Sequence, residues 1–211
     1  MGWSLFTTAL AAVALGIALK WYLLRGWGDI MKGLFLVLVI ASAVPCLAQD
    51  QNNEKKEPAT LKNILLEQLR STHNKAEWFV PANTAVEGLS AEQAAWTDGK
   101  GNHSVGQLAY HIWFWDQEEL AKFKGDPPVK YSGKNDDTFN NYDPKKWNET
   151  VKQLDQVLTD WEEAVAAASD AKVSEWASGI AHVGTHNAYH IGEIVMVRKE
   201  QGSWNPEKGV K

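Results

Sequence analysis

Trp147, Val151, Leu154, Leu158, Trp161, Val165 and Ala168 recur at alternating steps of four and three. That spacing lines up apolar side chains on one stripe of an α-helix. A strand, whose side chains alternate every second residue, would scatter them over both faces. A stripe this long has to be buried against other elements. Asp143 followed by Pro144 supplies an N-cap and a first-turn proline in front of it.

The same period runs through the rest of the chain from residue 59, with no convincing strand. Leu61, Leu65, Leu69, Thr72, Ala76, Phe79, Asn83 and Val86 keep a three-to-four spacing across Pro81, which predicts one long helix over residues 59–87, kinked at the proline. A second helix starts at Ser104, where SVGQ is a capping box, carries Leu108, His111, Ile112 and Trp115 inward, and stops at Gly125. The third is the 143–168 stripe. The fourth runs from about residue 178 to 201, stops at Gly202, and shows Val183, His186 or Asn187, His190, Ile194 and Val197 on its inner face. Four such helices imply an all-α four-helix bundle. The long connection between residues 125 and 143, rich in Gly, Pro, Asn and Asp, predicts a crossover that leaves helices two and three parallel.

Residues 1–48 differ from the rest. Met31-Lys32, the apolar run GLFLVLVIASAV, Pro45 and then CLAQ have the layout of a secretory signal over residues 31–48, with cleavage after Ala48. Residues 1–30 are then an upstream apolar extension or a mis-assigned start. The run from Leu5 to Leu24 is long enough to span a bilayer at about 20 residues. Lys20, Arg25 and Lys32 sit between or beside the two apolar runs, so a retained segment would also leave the following domain outside the cytoplasm. The expectation is an exported protein, periplasmic or extracellular; the alternative is a membrane anchor with the domain outside. Residues 49–58 read as a polar tether and residues 59–211 as the domain.

The chain carries a formal charge of −5, and the part after residue 48 is more acidic still, because Lys20, Arg25 and Lys32 outnumber Asp29 before it. That balance excludes nucleic acid as a partner and gives no hold on an anionic membrane. A small-molecule substrate fits better, and the composition leaves room for a homodimer. The one cysteine, Cys46, falls in the signal. The domain therefore has no disulfide, thiolate ligand or cysteine nucleophile.

All six histidines follow residue 72. His186 and His190 stand one helical turn apart, about 6 Å along the axis, which suits two imidazoles on one ion. A third ligand has to come from another helix, and His111 is the candidate that sits inside an apolar stripe. Three neutral imidazoles with an open position describe a catalytic site rather than a closed structural one. Yet an inward histidine is ordinarily a hydrogen-bonded core residue, and the HxxxH spacing recurs by chance, so spacing leaves both readings open. His182 lies about 12 Å along the axis from His190 and reads as a rim residue. His73 reads as a boundary residue near the pocket, and His103 as exposed. Trp78, Trp113 and Trp115 are candidates for an apolar wall, although tryptophans at helical spacing ordinarily build core.

The stretches EGLSAEQAAW closing helix one, HSVGQLAYHI, AHVGTHNAYHIGEI and the ending RKEQGSWNPEKGV, in that order, resemble the DinB/YfiT-like family of four-helix metalloproteins over residues 61–210. The resemblance implies an up-down-down-up bundle. It also implies a divalent metal ion, zinc or nickel, bound by His111, His186 and His190. In that family Arg-Gly-Gln commonly follows the histidine pair. Ile191-Gly192-Glu193 stands there in this chain, so an arginine for an anionic substrate is missing. Glu193 is the candidate catalytic residue, as a proton carrier or as an acceptor behind His190; a solvated helix face is the plain alternative. Gly192 is expected to permit close helix packing. Relatives act as thiol-dependent transferases, hydrolases or isomerases. The expected function is thus a metal-dependent hydrolase or thiol-dependent transferase, with a non-catalytic metal or small-ligand binding module as the alternative.

Overall fold

The computed structural model describes residues 59–127 and 131–209. The signal, the upstream extension and the tether expected over residues 1–58 lie outside the described residues.

Seven α-helices and no strand occur among the described residues. They are α1 (Leu61–His73), α2 (Ala82–Val86), α3 (Ala91–Ala95), α4 (Val105–Lys124), α5 (Asp137–Asn140), α6 (Trp147–Ala167) and α7 (Asp170–Gln201). Four of them form the bundle. Both α1 and α4 pack against α6 and α7, so each long helix has two neighbours around a shared core. Leu69, Leu108, Ile112, Leu154, Leu158, Trp161, Ile180, Ile191 and Ile194 fill that core. Full burial of one such aliphatic side chain stabilises by roughly 1.5–3 kcal/mol. No described helix is long and apolar enough to cross a membrane.

The single kinked helix over residues 59–87 does not form. Thr60 caps α1 by accepting from the Asn63 amide at 3.2 Å, and α1 ends at His73, with Asn74 as its C-cap. Residues 74–79 are exposed, including Ala76 and Phe79, which the spacing had placed on the inner stripe. α1 stops well before the proline, and Pro81, extended at φ −75° and ψ 162°, begins α2 as a new helix, since the residue before a proline is pushed out of the helical region. EGLSAEQAAW does not close helix one either. Ser90 and Gln93 form a second capping box that opens the separate helix α3.

The helix signals elsewhere hold. Ser104 accepts from the Gln107 amide while the Gln107 side chain takes the Ser104 amide, and α4 stops at Gly125 in the left-handed region at φ 87°. Asp143 and Pro144 cap a short 3-10 turn, Pro144–Lys146, that leads directly into α6. The fourth helix starts eight residues before the expected position, at Asp170, where the Ser169 hydroxyl accepts from the Lys172 amide. Val173 is the one fully buried side chain in that added stretch, too little to carry a periodic signal. Gly192, expected to bring helices together, faces open space, and a Cβ there would meet nothing. The close approach is made by Gly106 instead. A Cβ at that position would fall 2.2 Å from the Tyr142 ring, which lies directly on the first turn of α4.

Two side chains fix the frame behind the site. Trp161 Nε1 donates to the Asp116 carbonyl at 3.0 Å and ties α6 to α4. Arg198, 4 % exposed, donates to the carbonyls of Ala85, Glu87 and Ser203, pinning α7 to α2 and to the C-terminal segment.

Candidate metal centre

Helices α4 and α7 face each other in opposite order: His111 meets His186 and His190, Asp116 meets Asn187, and Phe123 meets Trp176. The antiparallel pairing brings the histidines of two helices to one point. His111, His186 and His190 each offer a ring nitrogen within 4.8 Å of the others. The Nε2 atoms of His111 and His186 are 3.2 Å apart. Two imidazole nitrogens bound tetrahedrally to one zinc at 2.0–2.1 Å would be separated by about 3.3 Å. The pair is therefore already at chelating distance.

The protonation pattern can be read from the partners of the other ring nitrogens. Thr138 donates its hydroxyl proton to the Asn135 carbonyl at 2.6 Å, so it can only accept from His111 Nδ1 at 2.5 Å. His190 Nδ1 donates to the Glu193 carboxylate at 2.6 Å. His186 Nδ1 faces the Asn187 side-chain oxygen at 3.3 Å. These partners favour the proton on Nδ1 of His111 and His190, and the Asn187 oxygen favours the same tautomer in His186, the arrangement typical of histidines that ligate a metal. Burial holds the His111 imidazole well below its usual range, down to about 3, with His190, His186 and His103 adding to the effect. Burial also lowers His186, helped by His190 and opposed by the Asn187 hydrogen bond. Neutral imidazoles are what a divalent ion requires.

Beside the centre lies a cleft of about 390 Å³, lined by Trp115, Asp116, Glu119, Asn135, His182, Val183 and His186 among others. Trp115 donates its indole proton to Asn135 at 3.1 Å, which anchors the crossover at the cleft mouth. Among the described residues no lysine or arginine lines this cleft. His182 is among the residues that line it.

Other residues depart from the sequence reading. His103 is not simply exposed: it stacks on Phe139 at 3.8 Å, and Phe139 stacks in turn on His111 at 3.8 Å. His73 takes no part in the site. It is buried between two carboxylates of α6, Glu162 at 2.6 Å and Asp155 at 2.9 Å. Trp78 is 98 % exposed and walls nothing, and Trp113 packs against the core. Of the three tryptophans only Trp115 lines the cleft.

Thr138, Phe139, Asn187 and Asp116 were not singled out as site residues by sequence reasoning. Asn187 shared a stripe position with His186, which was its only signal. Nothing local announces that Thr138 and Phe139, on a one-turn helix in the crossover, return to His111. Asp116 is 1 % exposed, and burial pushes its carboxyl up to about 8, against the opposing effect of the Asn187 hydrogen bond.

No match was found among curated proteins or among solved structures. The family model of the DinB superfamily matches residues 79–194, a span that takes in His111, His186 and His190. With an all-helical fold and three converging histidines that could hold a metal ion, the chain belongs to the DinB superfamily.

Proposed function

We propose that this is an exported enzyme, a divalent-metal-dependent hydrolase or thiol-dependent transferase acting on a small molecule, with His111, His186 and His190 as its metal ligands. One observation carries the reading: His111, His186 and His190 each bring a ring nitrogen within 4.8 Å of the others, while their Nδ1 atoms face partners outside the cluster, Thr138, Asn187 and Glu193. The 3.2 Å between His111 Nε2 and His186 Nε2 is the spacing that one tetrahedral ion needs, and as long as Thr138 and Asn187 hold both Nδ1 protons, no proton is left to bridge the pair.

A zinc or nickel ion held there would supply Lewis acidity, enough to bring a water or a thiol to ionisation near neutral pH and to polarise an electrophile. The chain's own contribution is placement. Thr138 and Glu193 hold two rings in the ligating tautomer. Phe139 stacks on His111, and the cleft, lined by Trp115 and His186, admits the substrate. With Asp116 and Glu119 lining it and no cation among the described lining residues, the cleft suits a neutral or basic substrate better than an anionic one. The Glu193 side chain is 40 % exposed, so it reaches solvent as well as the His190 ring and can pass a proton outward. Export is supported by the signal layout of residues 31–48.

A non-catalytic binding module is favoured by one feature: the carboxyl groups of Glu193 and Asp116 are both already hydrogen-bonded. Turnover separates the two readings. The metal-loaded protein is screened against esters, amides and thiol-transfer substrates, then stripped and reloaded. The enzyme reading expects activity that disappears with the metal, returns with it, and is indifferent to thiol alkylation of the domain. Glu193→Gln keeps an acceptor for His190 but cannot carry a proton, so it should retain metal and lose roughly 10²-fold in rate. A metal-replete protein inactive across all panels would leave the binding module.

A further inference from the structure

The three histidines differ in how firmly their tautomers are set. His111 faces a hydroxyl whose own proton is committed, and His190 faces a carboxylate, which only accepts. His186 faces a primary amide, which has an accepting end and a donating end and can present either one. With the oxygen forward, Asn187 takes the Nδ1 proton and leaves Nε2 bare. With the nitrogen forward, it would donate to Nδ1 and drive the proton onto Nε2, where it blocks ligation. Whatever holds the amide the first way round decides whether His186 is ready to bind.

We infer that Asp116 is a positioning residue for this centre: by taking the Asn187 amide protons it turns the Asn187 oxygen to His186 and so fixes the ligating tautomer of that ring. The inference rests on the metal reading of the same histidines. Asp116 Oδ2 accepts from Asn187 Nδ2 at 2.7 Å, shorter than the 3.3 Å contact from Asn187 to His186. The stronger bond dictates the orientation and the weaker one follows. Asp116 is 1 % exposed and Asn187 0 %, so no bulk water competes for either end of the amide. The Asp116 backbone is itself fixed, because its carbonyl takes the Trp161 indole proton. The chain Trp161, Asp116, Asn187, His186 thus runs from α6 through α4 to the ligand on α7. The raised carboxyl of Asp116 is compatible with this role, since a neutral acid still accepts through its unprotonated oxygen. The link needs an acceptor at position 116 and does not need a charge.

That distinction gives the test. Asp116→Leu and Asp116→Ser remove an acceptor within reach of Asn187, whereas Asp116→Asn keeps one. Proton–nitrogen correlation spectra of the metal-free protein report the His186 tautomer, and competition with a chromophoric chelator reports zinc affinity. The expected result is a His186 shifted toward the Nε2–H form in the leucine and serine variants, with zinc affinity lower by about 10–100-fold, the usual effect of losing an outer partner of a ligand. The asparagine variant should stay close to the parent in both readouts. Adding Asp116→Leu to Asn187→Ala should cost nothing further, because both break one chain. Should the leucine variant fail to fold, the serine and asparagine variants carry the same comparison. An unchanged His186 tautomer in the serine variant would overturn the inference. So would an asparagine variant as weak as the leucine one, which would mean that charge and not orientation matters. A parent protein that takes up no zinc, with the tautomer shift still present, would count against the metal reading alone.

Discussion

Replacing Thr138 by Val is a sharp probe of the centre, because valine copies the shape of threonine and deletes one hydroxyl. Thr138 and His111 are both fully enclosed, at 0 % and 2 % exposure, so water cannot take the place of the lost partner. In the metal-free protein the damage is softened. The His111 proton can move to Nε2 and be donated to His186 Nε2, 3.2 Å away, so the ring keeps a hydrogen bond. With an ion bound, Nε2 has to stay bare, and Nδ1–H is left buried against a methyl group at a cost of about 1–3 kcal/mol. Loss of the Thr138 bond to the Asn135 carbonyl affects both states and cancels. Metal affinity should therefore fall by about 10–100-fold, since each 1.4 kcal/mol is a factor of ten. Chelator competition at pH 7.5 measures it, with Thr138→Ser, which retains the hydroxyl, as the control. Affinity for Thr138→Val within twofold of the parent would refute the claim that the crossover sets the His111 tautomer.

Three further outcomes are expected. Gly192→Ala places its methyl in open space on a helix and should raise stability by up to about 1 kcal/mol in denaturant titration, with metal content unaltered. Gly106→Ala drives a Cβ into the Tyr142 ring and should destabilise by roughly 1–3 kcal/mol in the same assay. The His73 hydrogen bond is the first cause holding the Asp155 carboxyl below its ordinary range. A carboxyl depressed in the fold stabilises above its unfolded pKa of about 3.9 and loses that contribution as pH falls through the folded value. Acid titration of stability should accordingly fall less steeply below about pH 4 in His73→Leu than in the parent.

The sequence yielded what local spacing encodes. The α6 stripe, the Ser104 capping box and the glycine stops at 125 and 202 are signals confined to a few residues, and each appears in the structure. The false helix over residues 59–87 arose because apolar spacing continued by coincidence through an exposed segment, residues 74–79, that lies between α1 and the new helix begun at Pro81. The histidines could be chosen because an inward histidine is conspicuous on an apolar stripe. Their partners could not, because Thr138 stands 27 residues from His111 and Asp116 stands 71 from Asn187. Only the packing of the crossover and of α4 on α7 brings them together. The same limit explains Gly192 and Gly106: a sequence shows where a glycine stands and not what its missing Cβ would have met.

The central claim is that His111, His186 and His190 together hold one divalent ion. Elemental analysis of the purified protein, set beside a His111→Ala, His186→Ala double variant, tests it most directly. The expected result is about one equivalent of zinc or nickel in the parent, little in the double variant and in His190→Ala, and unchanged content in His103→Ala. Full metal content in the double variant, or a parent that binds no divalent ion when loaded and desalted, would contradict it.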